Sequence, residues 1–327
     1  MISEAAQKRR AVGAAATLSR RATEPRLVAC DLDGTLLDPS GSIRPAVRSA
    51  IEAVKEAGVQ VVIATGRNPW AAEHSARVLG LPGNHIVMNG GAYMSPITGR
   101  LVWARRLTGA VVRDAVAFAS GLGAVPLLGF LDRHVCAAPG SDLAAMPDFV
   151  TGARLQCVES LGEFADRGPI RVYIQTPAGQ HARAVADARE WFGRRASIVF
   201  GDESGFEVMA PGTNKGAALE IIAESMGLGR LEVAAMGDAP NDREMLAYAG
   251  LSAALLPAPG APLVHGRVMG EWTRVVPSSA QDGAVEALRG FFPRLRDLRS
   301  GHSDAARPIL VREFGSDPEP DMGQSAA

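Results

Sequence analysis

A chain of 327 residues exceeds the usual size of one domain, so one large or two moderate domains are expected, and its 47% hydrophobic and 21% charged residues can bury a sizeable core. Its 34 basic and 35 acidic residues give a formal net charge of −1, which excludes an overall attraction to nucleic acid or anionic membrane but not a local basic pocket. No apolar run reaches the roughly 18–20 residues that span a bilayer. Three cysteines without a CxxC pair suit a reducing compartment, and scattered histidines argue against a zinc centre.

Residues 1–24 are Ala/Arg-rich without a periodic core face and are expected to form a flexible tail. They lack a secretory apolar stretch. Their Arg and Ser content is faintly that of a transit peptide, but Glu4 opposes it, and a cytoplasmic location is expected. Arg26–Asp31 predicts a short apolar strand. Pro45–Ala57, with Val47, Ile51 and Val54 at helical spacing, predicts a helix ending at Gly58, and Val59–Ala64 a second strand. Such a strand–helix–strand unit implies parallel strands joined by a right-handed crossover. Farther on, Gly216–Met226 predicts a helix, Leu231–Met236 a strand and Asp242–Ala249 a helix.

Near-continuous apolar strands indicate a sheet covered on both faces, hence an α/β fold with a doubly wound parallel sheet of Rossmann-like type. Between the two halves the pattern changes. Candidate strands Val125–Phe130, Ile170–Gln175, Ser197–Phe200 and Phe206–Met209, with a helix at Ala182–Trp191, lie among Gly/Pro turns and predict an inserted α+β domain. The expected division is a discontinuous core of 25–90 and 206–298, an insert of 91–205, and a polar, Pro/Gly/Asp-rich tail of 299–327.

Four segments carry chemistry, each at a strand end or helix start. Asp31-Leu32-Asp33-Gly34-Thr35 places two carboxylates at i and i+2. A carboxylate attacks phosphorus competently once a cation offsets the charge repulsion. The DxD pair alone is equally an Asp-Gly turn, whereas the whole DLDGTLL after an apolar strand is much harder to explain that way. Thr65, in Ala64-Thr65-Gly66-Arg67, offers a hydroxyl for a phosphate oxygen, or simply an N-cap. Lys215 supplies a compact positive charge, although a lone lysine near a helix start is more often solvated. Asp238, Asn241 and Asp242, in GDAPND, supply hard oxygen ligands that suit Mg²⁺, and the twelve-residue calcium-loop pattern is absent.

Together, DLDGTLL, ATGR about thirty residues later, Lys215 in PGTNKGAAL, and GDAPNDREML resemble the haloacid dehalogenase-like superfamily, and within it the Cof-type sugar phosphatases with a large α/β cap. VMNGG (Val87–Gly91) and FEVMAPG (Phe206–Gly212) are similar to that subgroup's passages into and out of the cap. The resemblance covers about residues 26–290. It implies Asp31 as nucleophile and Asp33 as general acid, then base. It also implies Mg²⁺ held by Asp31, the Asp33 main-chain carbonyl and Asp238, phosphoryl binding by Thr65 and Lys215, and support from Asn241 and Asp242 behind them. One departure is AALLPAP (Ala253–Pro259), where the family commonly has a segment like VAMGNA.

The activity so implied is Mg²⁺-dependent hydrolysis of a small phosphorylated metabolite, a sugar or polyol phosphate, through an aspartyl-phosphate intermediate. The partner is that metabolite, with no nucleic acid or membrane, and the chain is expected as a monomer or small homo-oligomer. A phosphomutase would share the four motifs. A non-catalytic module on the same fold would be expected to have lost Asp31, Asp33, Lys215 or Asp238, and all four are present. For selection of the alcohol, the insert offers Arg105, Arg106, Arg133, His134 and Arg171, each equally readable as a solvated residue.

Overall fold

The computed structural model describes residues 24–137, 154–257 and 273–295, with the backbone of Ile309–Leu310. In chain order the first strands are Leu27–Cys30 (β1), Ser42–Ile43 (β2), Gln60–Ile63 (β3), His85–Val87 (β4), Ala92–Met94 (β5) and Leu101–Ala104 (β6). They are followed by Pro126–Gly129 (β7), His134–Cys136 (β8), Leu155–Cys157 (β9), Arg171–Gln175 (β10), Ser197–Val199 (β11) and Gly205–Met209 (β12). Val233–Gly237 (β13), Leu251–Leu255 (β14), Thr273–Val276 (β15) and Ile309–Leu310 (β16) complete the set among the described residues.

The expected doubly wound core is present as a parallel sheet in the order β15-β14-β13-β1-β3. Alternation along β1 shows why both faces are covered. Val28 and Cys30 join one cluster with Val47, Ile51 and Val54 of the helix Pro45–Glu56. Leu27 and Ala29 join another with Leu219 and Ile222 of the helix Lys215–Ser225 and Met245 of the helix Arg243–Tyr248. Pro45 at the first turn presets the helical φ of the first of these helices, and Gly58 (φ 81°) ends it.

The second sheet runs β11-β12-β10-β7-β8-β9 and is antiparallel except between β8 and β9. The helices Gly109–Gly121 and His181–Phe192 cover the face carrying Val172, Ile174, Phe206 and Val208. The alternate residues Arg171, Tyr173, Gly205 and Glu207 therefore point the other way, and Arg171 reaches the Gly66 carbonyl of the core at 2.8 Å. Strand β12 pairs along its length with β10 and spans the 205/206 position at which the chain was divided from sequence. A three-stranded antiparallel sheet, β4-β5-β6, likewise spans 90/91.

Cys136 and Cys157 face each other in register on β8 and β9, with Sγ atoms 3.4 Å apart, a proximity that spacing along the chain does not indicate. Within AALLPAP, Ala253–Leu255 belong to β14, and the segment's last two residues lie outside the described residues, as do residues 1–23. Of 299–327, only β16 is described, and it pairs with β2. Among the described residues no helix is long and apolar enough to cross a membrane.

Met88, Asn89 and Gly90 all adopt positive φ, which turns the chain onto the start of the helix Lys215–Ser225. A Cβ on Gly90 would lie 2.2 Å from the Asn214 carbonyl oxygen, whereas one on Gly58 would meet nothing within 4 Å. Both positions carry the cost of left-handed backbone, so their difference isolates the clash. Gly90→Ala is expected to lower unfolding free energy by about 2–4 kcal/mol and Gly58→Ala by about 1 kcal/mol in urea titrations. Equal losses would contradict the close packing at Gly90.

Candidate active site

Strand β1 lies between β13 and β3, with Cys30 level with Met236 on one side and Ile63 on the other. Asp31, Asp238 and Thr65 follow these strands at their carboxyl ends, where an open α/β sheet binds its ligands. The Asp31 amide donates to the Met236 carbonyl at 3.0 Å, fixing the start of the turn. Gly34 (φ 77°) closes that turn, and any Cβ there would lie 2.3 Å from Asp238 Oδ2. Thr35 Oγ1 donates to Asp238 Oδ1 at 2.8 Å. The glycine and threonine of DLDGT thus bring the first and fourth segments together.

Lys215 begins its helix directly after Asn214, whose side chain caps that helix by accepting from the Ala217 amide at 2.7 Å. The Lys215 side chain is fully buried. Its ammonium donates to Asp31 Oδ1 at 2.5 Å and to Asp242 Oδ1 at 2.7 Å. Asp242 Oδ2 accepts from the Asp238 and Ala239 amides, both at 3.0 Å. Asp242 therefore anchors the ammonium and shapes the loop that presents Asp238.

The electrostatics follow from this crowding. Burial pushes the Asp31 carboxyl well above the usual carboxylate range; Lys215 pulls against the shift, and Asp242, Asp238 and Asp33 add to it. Burial, then the nearby Asp242, raises Asp238 to about 7 against the opposing hydrogen bond from Thr35. Burial alone would lower Lys215, but Asp242 and Asp31 more than offset it and hold the ammonium above its ordinary value.

Thr65 is fully buried, and its hydroxyl accepts from the Arg67 amide at 3.0 Å. Gly66 and Arg67 line the cavity, and Thr65 sits behind them. Asp33 is more open, with 55% of its side chain exposed, and Arg67 binds both its carboxylate oxygens at 2.7–3.2 Å. Sequence reasoning left Arg67 unassigned, although the arginine of ATGR was the available signal.

A cavity of about 330 Å³ joins these residues to the second sheet, which contributes Tyr173 and Glu207, and to its β11–β12 loop, which contributes Phe200 and Asp202. The five basic candidates for alcohol selection are not among its lining residues. Arg105 bonds to the Pro211 carbonyl, Arg106 to the Gly168 carbonyl and Arg133 to Asp132. His134 and Arg171 are fully buried. Arg171 pairs closely with Glu207 and bonds to Asn68 Oδ1 at 2.8 Å, and the Asn68 amide meets His134 Nε2 at 2.7 Å. Glu207 in turn accepts from Asn89 at 3.0 Å, and Asn89 Oδ1 accepts from Asn241 at 2.9 Å. The reason for the difference is direction and pairing: the two terminal nitrogens of Arg171 are turned to Glu207, Asn68 and the Gly66 carbonyl behind the cavity wall, and Arg105, Arg106 and Arg133 take partners outside the cavity. Asn89 and Glu207 were unmarked in sequence except as members of VMNGG and FEVMAPG.

Carboxylate oxygens of Asp31, Asp238 and Asp242 lie within 4.8 Å of one another. Both Asp242 oxygens are committed to hydrogen bonds, while Asp31 and Asp238 each keep one oxygen that takes none among the described residues. Among these residues Lys215 is the one ammonium paired with this cluster of three carboxylates, and two crowded hard ligands so incompletely neutralised fit a small divalent cation.

Comparison with known proteins agrees with the geometry. The family model for haloacid dehalogenase-like hydrolases matches residues 28–287. The chain is 28% identical over 269 residues to a phosphoglycolate phosphatase of Methanoculleus marisnigri, covering 81% of this chain and 96% of that one. It is 30% identical over 264 residues to an HMP-PP phosphatase of Cronobacter sakazakii, covering 76% and 92%. A haloacid dehalogenase-like hydrolase of Bacteroides thetaiotaomicron superposes with a TM-score of 0.67 at 20% identity, covering 82% of this chain and all of that one.

Asp238 gives a pH test. Its folded value lies above that of an unfolded aspartate, so its contribution to stability is full below about pH 4 and is lost as pH rises through about 7. Asp238→Asn keeps an acceptor for Thr35 and removes the charge. In chelator, the variant is expected to gain on the wild type between pH 5 and 8. The gain should be on the order of 1 kcal/mol, below the full linkage value because Asp238 is partly open to solvent. A variant less stable than the wild type at pH 8 would contradict this electrostatic account.

Proposed function

The chain belongs to the haloacid dehalogenase-like hydrolases, and from that premise we propose that it is a Mg²⁺-dependent phosphomonoester hydrolase working through an aspartyl phosphate on Asp31. Its substrate is a small phosphorylated metabolite, a sugar or polyol phosphate. The observation that carries this reading is the clamp on Asp31: Lys215 holds one carboxylate oxygen at 2.5 Å while the side chain also lines the cavity. The phosphatase names of the relatives support it. In this reading the catalytic core and the cap divide near 90/91 and 205/206, and β12, which crosses the second of these positions, pairs with the cap strand β10.

Asp31, Asp238 and the Asp33 main-chain carbonyl would hold Mg²⁺, which supplies charge neutralisation at the phosphoryl oxygens. Lys215 orients Asp31 and offsets the approach of one anion to another. Asp33 donates a proton to the departing alkoxide, then takes one from the water that cleaves the acyl phosphate. To do so it must leave Arg67, and an arriving phosphate offers that guanidinium an alternative anion. Thr65 keeps the Gly66–Arg67 turn in place through the Arg67 amide, and Asn241 and Asp242 hold the Asp238 loop. Cap residues line one side of the cavity: a Cβ on Gly201 would stand 3.6 Å from the Asn241 amide nitrogen, so this cap segment lies close to the core. Closure of the cap over the cavity excludes water until the ester is bound.

Asp31→Asn preserves an acceptor for Lys215 and removes the nucleophile. It is expected to remain folded and to lose at least about 10³ in kcat against a panel of hexose and pentose phosphates. Excess EDTA should remove wild-type activity and Mg²⁺ restore it. Mg²⁺ should also stabilise the wild type, by about 2.7 kcal/mol at a hundredfold excess over Kd. Retention of more than about a hundredth of kcat by Asp31→Asn, or full activity in EDTA, would overturn the mechanism.

A further inference from the structure

The charges around the cavity are paired unevenly. Five carboxylates line it (Asp31, Asp33, Asp202, Glu207 and Asp238) against one cation, Arg67. Behind the walls, Lys215 pairs with Asp31 and Arg171 with Glu207, while Arg67 is bound by Asp33. Asp238 and Asp202 remain without a cationic partner among the described residues. Asp238 sits beside Asp31 at the phosphate end. Asp202 lies on the roof, in the loop between β11 and β12.

That loop is built to present its carboxylate. Asp202 Oδ1 accepts from the Ser204 amide at 2.8 Å and from its hydroxyl at 2.5 Å, and Ser204 Oγ meets the Tyr173 hydroxyl at 3.1 Å. The neighbouring Gly201 lies close to Asn241 of the core, which a Cβ there would just reach. Asp202 Oδ2 makes no hydrogen bond among the described residues, and the side chain is exposed. Phe200 beside it offers an apolar ring, held edge-on by His181 at 5.1 Å between centroids. Arg189 stacks on that ring, 5.7 Å from its centre, and is not among the lining residues.

Resting on the phosphatase reading above, we infer that the Asp202 loop selects phosphate esters whose alcohol portion is uncharged or cationic, and rejects those carrying a second anionic group. The phosphoryl group is oriented by Asp31, Arg67 and the cation site, so the rest of a small ester extends toward the roof. There it meets a fixed carboxylate with a free acceptor oxygen and an aromatic ring. Hydroxyl or ammonium donors satisfy the carboxylate, and the C–H face of a sugar packs on Phe200. A carboxylate or second phosphate is repelled by that fixed charge, reduced but not abolished by the water that reaches the exposed Asp202 side chain. Asp202 is thus a specificity-determining residue.

The test measures binding in the Asp31→Asn background, where turnover does not interfere, and hydrolysis separately in the otherwise wild-type chain. The probes share a six-carbon phosphate ester: glucose 6-phosphate, glucosamine 6-phosphate, 6-phosphogluconate and fructose 1,6-bisphosphate. By calorimetry, the first two are expected to bind at least about tenfold more tightly than the last two, a difference of about 1.4 kcal/mol. Asp202→Asn retains an acceptor for Ser204 and should shrink that ratio at least about threefold, chiefly by improving the anionic probes. Because the readout is a ratio within one preparation, a loss of overall stability cancels. Equal or tighter binding of the bisphosphate or the gluconate by the parent, or a ratio unchanged by Asp202→Asn, overturns the inference. Absence of free phosphate from every ester with the wild-type chain overturns the phosphatase reading instead, and the binding ratio still decides the role of Asp202.

Discussion

Lys215 has no exposed surface, and its ammonium touches two carboxylates that are themselves buried. Taking an isolated charge out of water costs several kcal/mol, so such a group persists only with close, hydrogen-bonded partners. Each partner then constrains a separate part of the chain. Asp31 belongs to the turn after β1. Asp242 ties down the loop after β13 through the amides of Asp238 and Ala239. The ammonium itself is delivered from the first residue of a helix that packs against the sheet. Three segments separated by up to 211 positions, from Asp31 to Asp242, are thereby held around one charge. The arrangement leaves Asp31 with one oxygen restrained and crowds Asp238 against it, which is what a nucleophile and a cation site both need.

The contact between the two sheets has a different character. Arg171, Glu207, Asn89 and Asn241 form a continuous polar path from the roof to the Asp238 loop, with Asn68 and His134 on a side branch. Buried polar networks are stabilising when satisfied and costly when broken. The path fixes where the second sheet sits on the core. Separation of the two halves must bring water to Arg171 and Glu207. One guanidinium thus joins the second sheet to the Gly66–Arg67 turn, because Arg171 also bonds to the Gly66 carbonyl.

Much of the catalytic half was legible because its signals are local. Apolar runs gave β1, β3 and β13, and helical spacing gave Pro45–Glu56. The glycine of DLDGT had to be a turn, and the structure shows the reason, since Asp238 fills the space of its Cβ. Strands β4, β5 and β6 escaped notice because each is only three or four residues long. Residues whose partners are remote in sequence were harder still. Nothing near Glu207 marks it as the counter-charge of Arg171, and nothing near Arg67 marks it as the partner of Asp33. Arg171 was legible as a polar residue of the insert, but its direction depends on strand parity and on which face the helices cover. Asp202 reads as an ordinary turn aspartate until the fold sets it above the site.

The claim on which the rest turns is that Asp31 itself becomes phosphorylated. Wild-type protein mixed with Mg²⁺ and a ³²P-labelled sugar phosphate, quenched in acid within the first turnover and digested, locates any acyl phosphate directly. Label confined to the peptide containing Asp31, and discharged by mild alkali or hydroxylamine, is the result predicted. Substrate consumed at full rate with no protein-bound label at any quench time, or label on another residue, would contradict the account.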